Sequence, residues 1–108
     1  MSRTWKRLAG PLLITNAVVT RYTVPASTTA IIRNIHIASN VGTATDVTVS
    51  IGADAAGTRI LDAISIPGDG VLDLYGPFVM VAAEVLQTNA SVTNQLTITL
   101  TGEEITLG

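Results

Sequence analysis

Hydrophobic and polar residues alternate along much of this chain with a period of two, the pattern of β-strands that bury one face. The alternation is cleanest over 46–51 and 95–101, where aliphatic side chains share one face and polar side chains the other. Less regular apolar runs lie at 12–14, 18–24, 29–38, 59–66, 71–75, 78–81, 85–88 and 105–107. Turn-forming residues separate the runs, and no run has a helical period. The pattern predicts an all-β fold, a single antiparallel β-sandwich of the jelly-roll or immunoglobulin-like type.

The stretch Arg21–Ser39 holds two of these runs, one on either side of the sequence Pro-Ala-Ser-Thr at 25–28. The second run contains four isoleucines, a density that favours a strand over a helix. Since proline cannot donate to a β-ladder and is common in turns, we expect the two runs to form a hairpin. One face of this hairpin would pack inside the sandwich. Its polar side, with Arg21, Arg33 and His36, would face a neighbouring molecule.

Residues 1–11 are basic, contain the only tryptophan and end at the turn signal Gly10-Pro11. They predict an extended N-terminal arm, followed by the β-sandwich domain over 12–108. Two roles for Trp5 fit this position: it covers its own sandwich as a lid, or it enters a neighbouring subunit. In the second case the arm contributes an interface, because Trp and Arg are frequent interface anchors. Its members would be Trp5, Lys6, Arg7 and Leu8.

Composition argues for a covered surface. The chain of 108 residues is 47% hydrophobic and only 13% charged, against about 25% charged in typical globular domains. It contains no cysteine, which excludes disulfides and thiolate metal sites. No apolar run approaches the roughly 20 residues of a membrane helix. Basic residues precede the apolar stretch 8–14 as in a signal peptide, but Gly10 and Pro11 interrupt it, so we expect the segment to be retained.

Charge is divided unevenly along the chain. Five of the six basic residues precede every acidic one, and from Asp46 onward there are eight acids and only Arg59. The two parts carry +5 and −7, which sum to the net charge of −2. This division either arises by chance or lets a basic arm dock on the acidic surface of another copy. The basic residues are too few, and the pI of about 5.0 too low, to indicate nucleic-acid binding.

Candidates for chemistry are sparse. His36 is the only histidine, so a multi-histidine metal site is excluded, and we expect it on the same side of its strand as Ile32 and Asn34. The acids at 62, 69 and 73 flank or form turns, a more common role than catalysis. Asp54 and Asp69 could bind calcium, but the residues around them lack the spacing of oxygen ligands found in a dedicated calcium loop. We therefore expect no enzymatic activity, no cofactor and no metal.

Several phrases of the sequence resemble small virion proteins of tailed bacteriophages. They are WKRLAGP, then YTVPAS and AIIRNIHIAS, then VTVSIGADAAGTRILDAISIP, and the resemblance covers roughly residues 5–101. It implies a non-enzymatic β-sandwich that assembles in many copies in the tail, baseplate or collar, or as capsid decoration. The group has no catalytic residues to carry over.

Two functions follow as expectations. The first is a virion structural protein, assembled in the host cytoplasm, whose partners are its own copies and other virion proteins rather than nucleic acid or membrane. The expected interface comprises Trp5, Lys6, Arg7, Leu8, Arg21, Arg33 and His36. The alternative is a module that binds host-surface carbohydrate. It ranks second because aromatic content is 4%, and Tyr22, Tyr75 and Phe78 occupy positions typical of core or strand ends.

Overall fold

A computed structural model describes residues 2–106; Met1, Leu107 and Gly108 lie outside the described residues. The described chain forms eight β-strands. They are β1 (Ser2–Ile14), β2 (Val19–Thr23), β3 (Thr28–Ser39), β4 (Thr45–Ile51), β5 (Arg59–Ile66), β6 (Val71–Met80), β7 (Val85–Ala90) and β8 (Leu96–Thr106). The all-β prediction is confirmed. The cleanly alternating stretch 46–51 lies in β4, and the stretch 95–101 lies in β8 from Leu96 onward.

The strands form two antiparallel four-stranded sheets packed as one β-sandwich. Sheet A has the order β1-β8-β3-β6, and sheet B has the order β2-β7-β4-β5. Strand β1 pairs with β8, β2 with β7, β3 with β6 and β4 with β5, as in one long hairpin that is folded into two layers. This is the jelly-roll arrangement, one of the two types that the strand pattern predicted.

The core lies between the sheets and consists mainly of aliphatic residues at alternate strand positions. In β8, Leu96, Ile98 and Leu100 are buried, and the threonines between them point away from the core. Burying each such aliphatic side chain contributes roughly 1.5–3 kcal/mol, so this layer is the main source of stability. The other sheet-A members of the core are Ile14, Ala30, Ile32, Ile35, Ile37 and Met80.

The hairpin predicted over Arg21–Ser39 is wrong. Strand β2 pairs with β7 in sheet B, whereas β3 pairs with β6 and β8 in sheet A. The segment 24–27 carries the chain from one sheet to the other. The backbone of Val24 hydrogen-bonds to that of Ala83 and Glu84 in the turn after β6, not to β3. Pro25 thus ends a ladder as expected, but the following strand finds its partners far away in sequence.

Sheet A carries a line of irregularities that crosses it at about one level. In β3, Ile32 pairs with Gly102 and Asn34 pairs with Thr101, so Arg33 is an extra residue, a β-bulge. Ile32 and Ile35 are both buried as a result, and the expectation that Ile32 shares a side with His36 is wrong. The edge strands are irregular nearby, at 7–12 in β1 and at 75–78 in β6.

Two predicted strand ends lie inside strands. Strand β6 continues through Gly76-Pro77, joining the runs predicted at 71–75 and 78–81. Strand β8 continues through Gly102 as far as Thr106. Proline is tolerated in β6 because this strand is at the edge of its sheet. The residues assigned to the N-terminal arm, as far as they are described, form most of β1, which pairs with β8 of the same chain.

Candidate interaction surface

The face of sheet A that points away from sheet B, which we call the open face, collects four of the seven residues expected at an interface. Register places side chains of all four strands in rows across this face. One row holds Trp5, Glu103, Ile31 and Val79; the next holds Arg7, Thr101, Asn34 and Tyr75. A third holds Thr99, His36 and Asp73.

Large apolar side chains stand exposed on the open face. Trp5 is 62% exposed on one edge strand, and Val71, Tyr75 and Val79 are 60%, 71% and 60% exposed on the other. Their neighbours in β6 at alternate positions, Leu72, Leu74 and Phe78, pack against the core. Single exposed apolar residues are common, whereas a group on one face is typical of an interaction site.

A buried ion pair lies at one end of the open face. The Glu103 side chain is 0% exposed, and its Oε1 accepts a hydrogen bond of 2.7 Å from Nη2 of Arg33. Its Oε2 makes no hydrogen bond within the described chain, and Nε of Arg3 lies 3.4 Å away. The Arg33 guanidinium stands 5.6 Å from the centre of the Trp5 ring, a cation–π distance. The bulge in β3 therefore places Arg33 where it contacts both groups.

His36 and Asp73 form a second polar pair on the open face. His36 Nδ1 lies 2.6 Å from Asp73 Oδ1, and Asn34 Nδ2 lies 3.5 Å from the same oxygen. The hydrogen bond with His36, and secondarily that from Asn34, lowers the pKa of the Asp73 carboxyl. This pair lies one row from Tyr75, so an exposed ring and three polar side chains are adjacent.

The other three expected interface residues lie elsewhere. Lys6 faces the inner side, where its Nζ donates a hydrogen bond of 3.1 Å to Oε1 of Glu104. Leu8 packs against the core. Arg21 donates from Nε to Oγ1 of Thr88 and from Nη2 to the carbonyl of Leu13, linking sheet B to the edge of sheet A. These contacts make Leu8 and Arg21 part of the sandwich itself.

Glu104 joins the end of β8 to β2. Its Oε2 accepts a 2.5 Å hydrogen bond from the Tyr22 hydroxyl. This bond, and secondarily the bond from Lys6, lowers the pKa of the Glu104 carboxyl. Burial and the same carboxylate raise the pKa of the Tyr22 hydroxyl. Basic residues near the N-terminus thus find acidic partners within their own chain, at Glu103 and Glu104.

The acids considered as candidate sites do not form one cluster. Asp54, in the loop before β5, and Asp62 both pair with Arg59, whereas Asp69 lies in the turn before β6. Residues 2–106 enclose no pocket and bring no three His, Asp or Glu side chains close enough to hold a metal ion. Within the same residues, no helix is long and apolar enough to cross a bilayer.

Two residues of the open face were missed from the sequence. Tyr75 was assigned to a core or strand end because Gly76-Pro77 follows it, yet it is mid-strand and exposed. Glu103 falls between the runs predicted at 95–101 and 105–107, yet β8 continues through it. The period of two already contained a signal, because residue 103 continues the series of threonines at 97, 99 and 101 that faces away from the core.

No protein-family model, curated protein or solved structure matches this chain.

Proposed function

We propose that this chain is a non-enzymatic structural protein of a tailed-bacteriophage virion. It would assemble in many copies in the tail, baseplate or collar, or as capsid decoration. The observation that carries the proposal is the open face of sheet A, where large apolar side chains, among them Trp5, Tyr75 and Val79, stand exposed on the two edge strands. Interfaces between subunits are rich in aromatic and aliphatic residues at their centre, with arginine among their usual anchors. The open face has both kinds of residue, with the apolar side chains on its two edge strands and Arg33 between them.

The charges of the open face suit an interface that excludes water. Arg33 and Glu103 already neutralise one another, as do His36 and Asp73 when the histidine is protonated. A partner that covers this face would bury few unpaired charges, which is the main cost of burying polar groups. The resemblance to small phage virion proteins supports the same conclusion from the sequence.

The experiment is a measurement of assembly with paired variants. Sedimentation-velocity ultracentrifugation of the purified chain at high concentration is expected to show an oligomer, and Val79→Glu is expected to shift it to monomer because a charge would be buried at the contact. Val92→Glu is the control, since Val92 is also exposed but lies between β7 and β8, away from the open face. Co-expression with the products of neighbouring virion genes tests hetero-assembly. A chain that stays monomeric at high concentration and binds no virion protein contradicts the proposal.

The second candidate is a carbohydrate-binding module, and one observation favours it. Tyr75 exposes its ring beside Asn34, Asp73 and His36, and sugars bind through stacking on aromatic rings with adjacent polar groups. Saturable binding on a glycan array that disappears in Tyr75→Ala would favour this function over assembly.

A further inference from the structure

The first half of β1, Ser2–Arg7, is attached to the molecule more weakly than the rest of the strand. Every residue in it is exposed, although successive side chains point to opposite faces. As an edge strand it is paired only with β8. Packing against the core begins at Leu8 and Ala9. The segment therefore buries little apolar surface and depends on its β-ladder and its ion pairs.

An irregular stretch separates this segment from the second half of β1. The register with β8 shifts between Arg7 and Ala9 and again between Ala9 and Leu12. Between these points Gly10 has a φ of +87°, a conformation that favours glycine. A few residues at the end of an element are sufficient to act as a hinge. The register shift between Arg7 and Ala9 is such a place, because Ser2–Arg7 can change direction there while Leu8 and Ala9 stay packed against the core.

The surface of β8 that receives the segment is held in place by other parts of the molecule. Arg33 of β3 fixes Glu103, and Tyr22 of β2 fixes Glu104. Both carboxylates would keep these donors if the segment left. Each also has a second oxygen that faces a cation of the segment: Arg3 Nε lies 3.4 Å from Glu103 Oε2, and Lys6 Nζ lies 3.1 Å from Glu104 Oε1.

We propose that Ser2–Arg7 exchanges between copies, so that this segment of one molecule pairs with β8 of a second. The inference rests on the proposed assembly function and specifies how its copies are joined. The occupant is a second copy because only a strand with cations at the spacing of Arg3 and Lys6, and with Trp5 to cover Arg33, reproduces the interactions of this site. Exchange of identical elements is a low-cost route to oligomers, since the hydrogen bonds and ion pairs that break within one molecule form again between two.

Cysteine pairs across the ladder test the exchange, because the natural chain contains no cysteine. Ser2 stands opposite Thr106 in the register. Chains carrying Ser2→Cys are refolded together with chains carrying Thr106→Cys, oxidised and separated on a denaturing gel without reductant. The expected result is a disulfide-linked dimer of the two kinds of chain. A second pair, Arg7→Cys with Thr101→Cys, covers the same ladder next to the hinge.

The matched control uses the same two strands beyond the hinge. Leu13 stands opposite Thr97, and a mixture of Leu13→Cys and Thr97→Cys chains is expected to give no such dimer. A chain with both of these substitutions is expected to form the bond internally. If the wild-type chain is oligomeric but neither test pair links different chains, exchange is refuted and the proposed assembly stands. If the chain is monomeric, exchange is refuted, and the proposed assembly is refuted as well when the chain binds no virion protein.

Discussion

Replacing Arg33 by methionine tests whether the buried carboxylate of Glu103 depends on this one guanidinium. Methionine keeps an apolar stem and removes the charge. Removing one partner of a fully buried pair costs about 3–5 kcal/mol. The Arg33 side chain is 40% exposed, and Arg3 remains 3.4 Å from the other oxygen, so we expect the lower limit, about 3 kcal/mol. With an unfolding entropy of about 2.1 cal/mol/K per residue, this lowers Tm by about 13 °C.

The assay is urea unfolding followed by far-ultraviolet circular dichroism, at one protein concentration at which all variants have the same oligomeric state. Fluorescence of Trp5 is less suitable because Arg33 stands next to its ring. The control is Arg3→Met, which removes the guanidinium that faces Oε2, the other oxygen of Glu103. Since the Arg3 side chain is 60% exposed, its ion pair is worth about 0–1 kcal/mol, and we expect a loss within that range.

Two results would refute the reasoning. One is a loss for Arg33→Met no greater than that for Arg3→Met, which would mean that Glu103 finds water or another partner. The other is a double variant, Arg33→Met with Glu103→Met, that is less stable than Arg33→Met alone. Removing both charges is expected to recover most of the loss, since no buried charge then remains unpaired.

Two further predictions concern β8. Gly102→Ala is expected to lower the free energy of unfolding by about 3 kcal/mol or more in the same assay, because a Cβ there would overlap the backbone oxygen of Ile31. The control is Gly57→Ala, where a Cβ meets nothing within 4 Å and stability should change by less than about 0.5 kcal/mol. Equal effects of the two substitutions would contradict the close approach of β3 and β8. The lowered pKa of Glu104 means that its bond from Tyr22 contributes stability in full above the unfolded pKa of about 4.3 and loses it as the pH falls through the folded value. The stability difference between wild type and Glu104→Gln, measured by urea unfolding from pH 7 to pH 2, should therefore shrink toward zero in acid, and a constant difference would show that the charge is not responsible.

Local pattern was sufficient to predict the fold class and the strands with regular alternation. Asp62, an acid among the isoleucines of the run 59–66, lies where the register of β5 shifts, and the following Ala63 has a positive φ. The hairpin failed because pairing is not local: Thr20 of β2 pairs with Gln87 of β7. Alternation with a period of two shows which face of its own strand a residue occupies. It gives no information about which strand lies beside that strand.

The candidate surface was predicted in part for the same reason. Trp5 and Arg33 were both chosen for their chemistry, but their contact arises because β8 brings β1 and β3 to either side of Glu103. Tyr75 was misplaced because Gly-Pro usually ends a strand, whereas here the sequence lies opposite the bulge of β3 and the strand continues. Tertiary pairing decided both positions.

The bulge at Arg33 also marks the position in β3 where the chain can change in length. Deleting Arg33 would leave Ile32 opposite Gly102 and Asn34 opposite Thr101, so both parts of the strand would keep their faces and Glu103 would lose a hydrogen-bond donor. Deleting any other residue of β3 would turn part of the strand over and move buried isoleucines to the surface, since side chains alternate strictly. An epitope tag or fluorescent label meant to follow the protein belongs instead in the loop between β4 and β5, where Gly57 has open space around it.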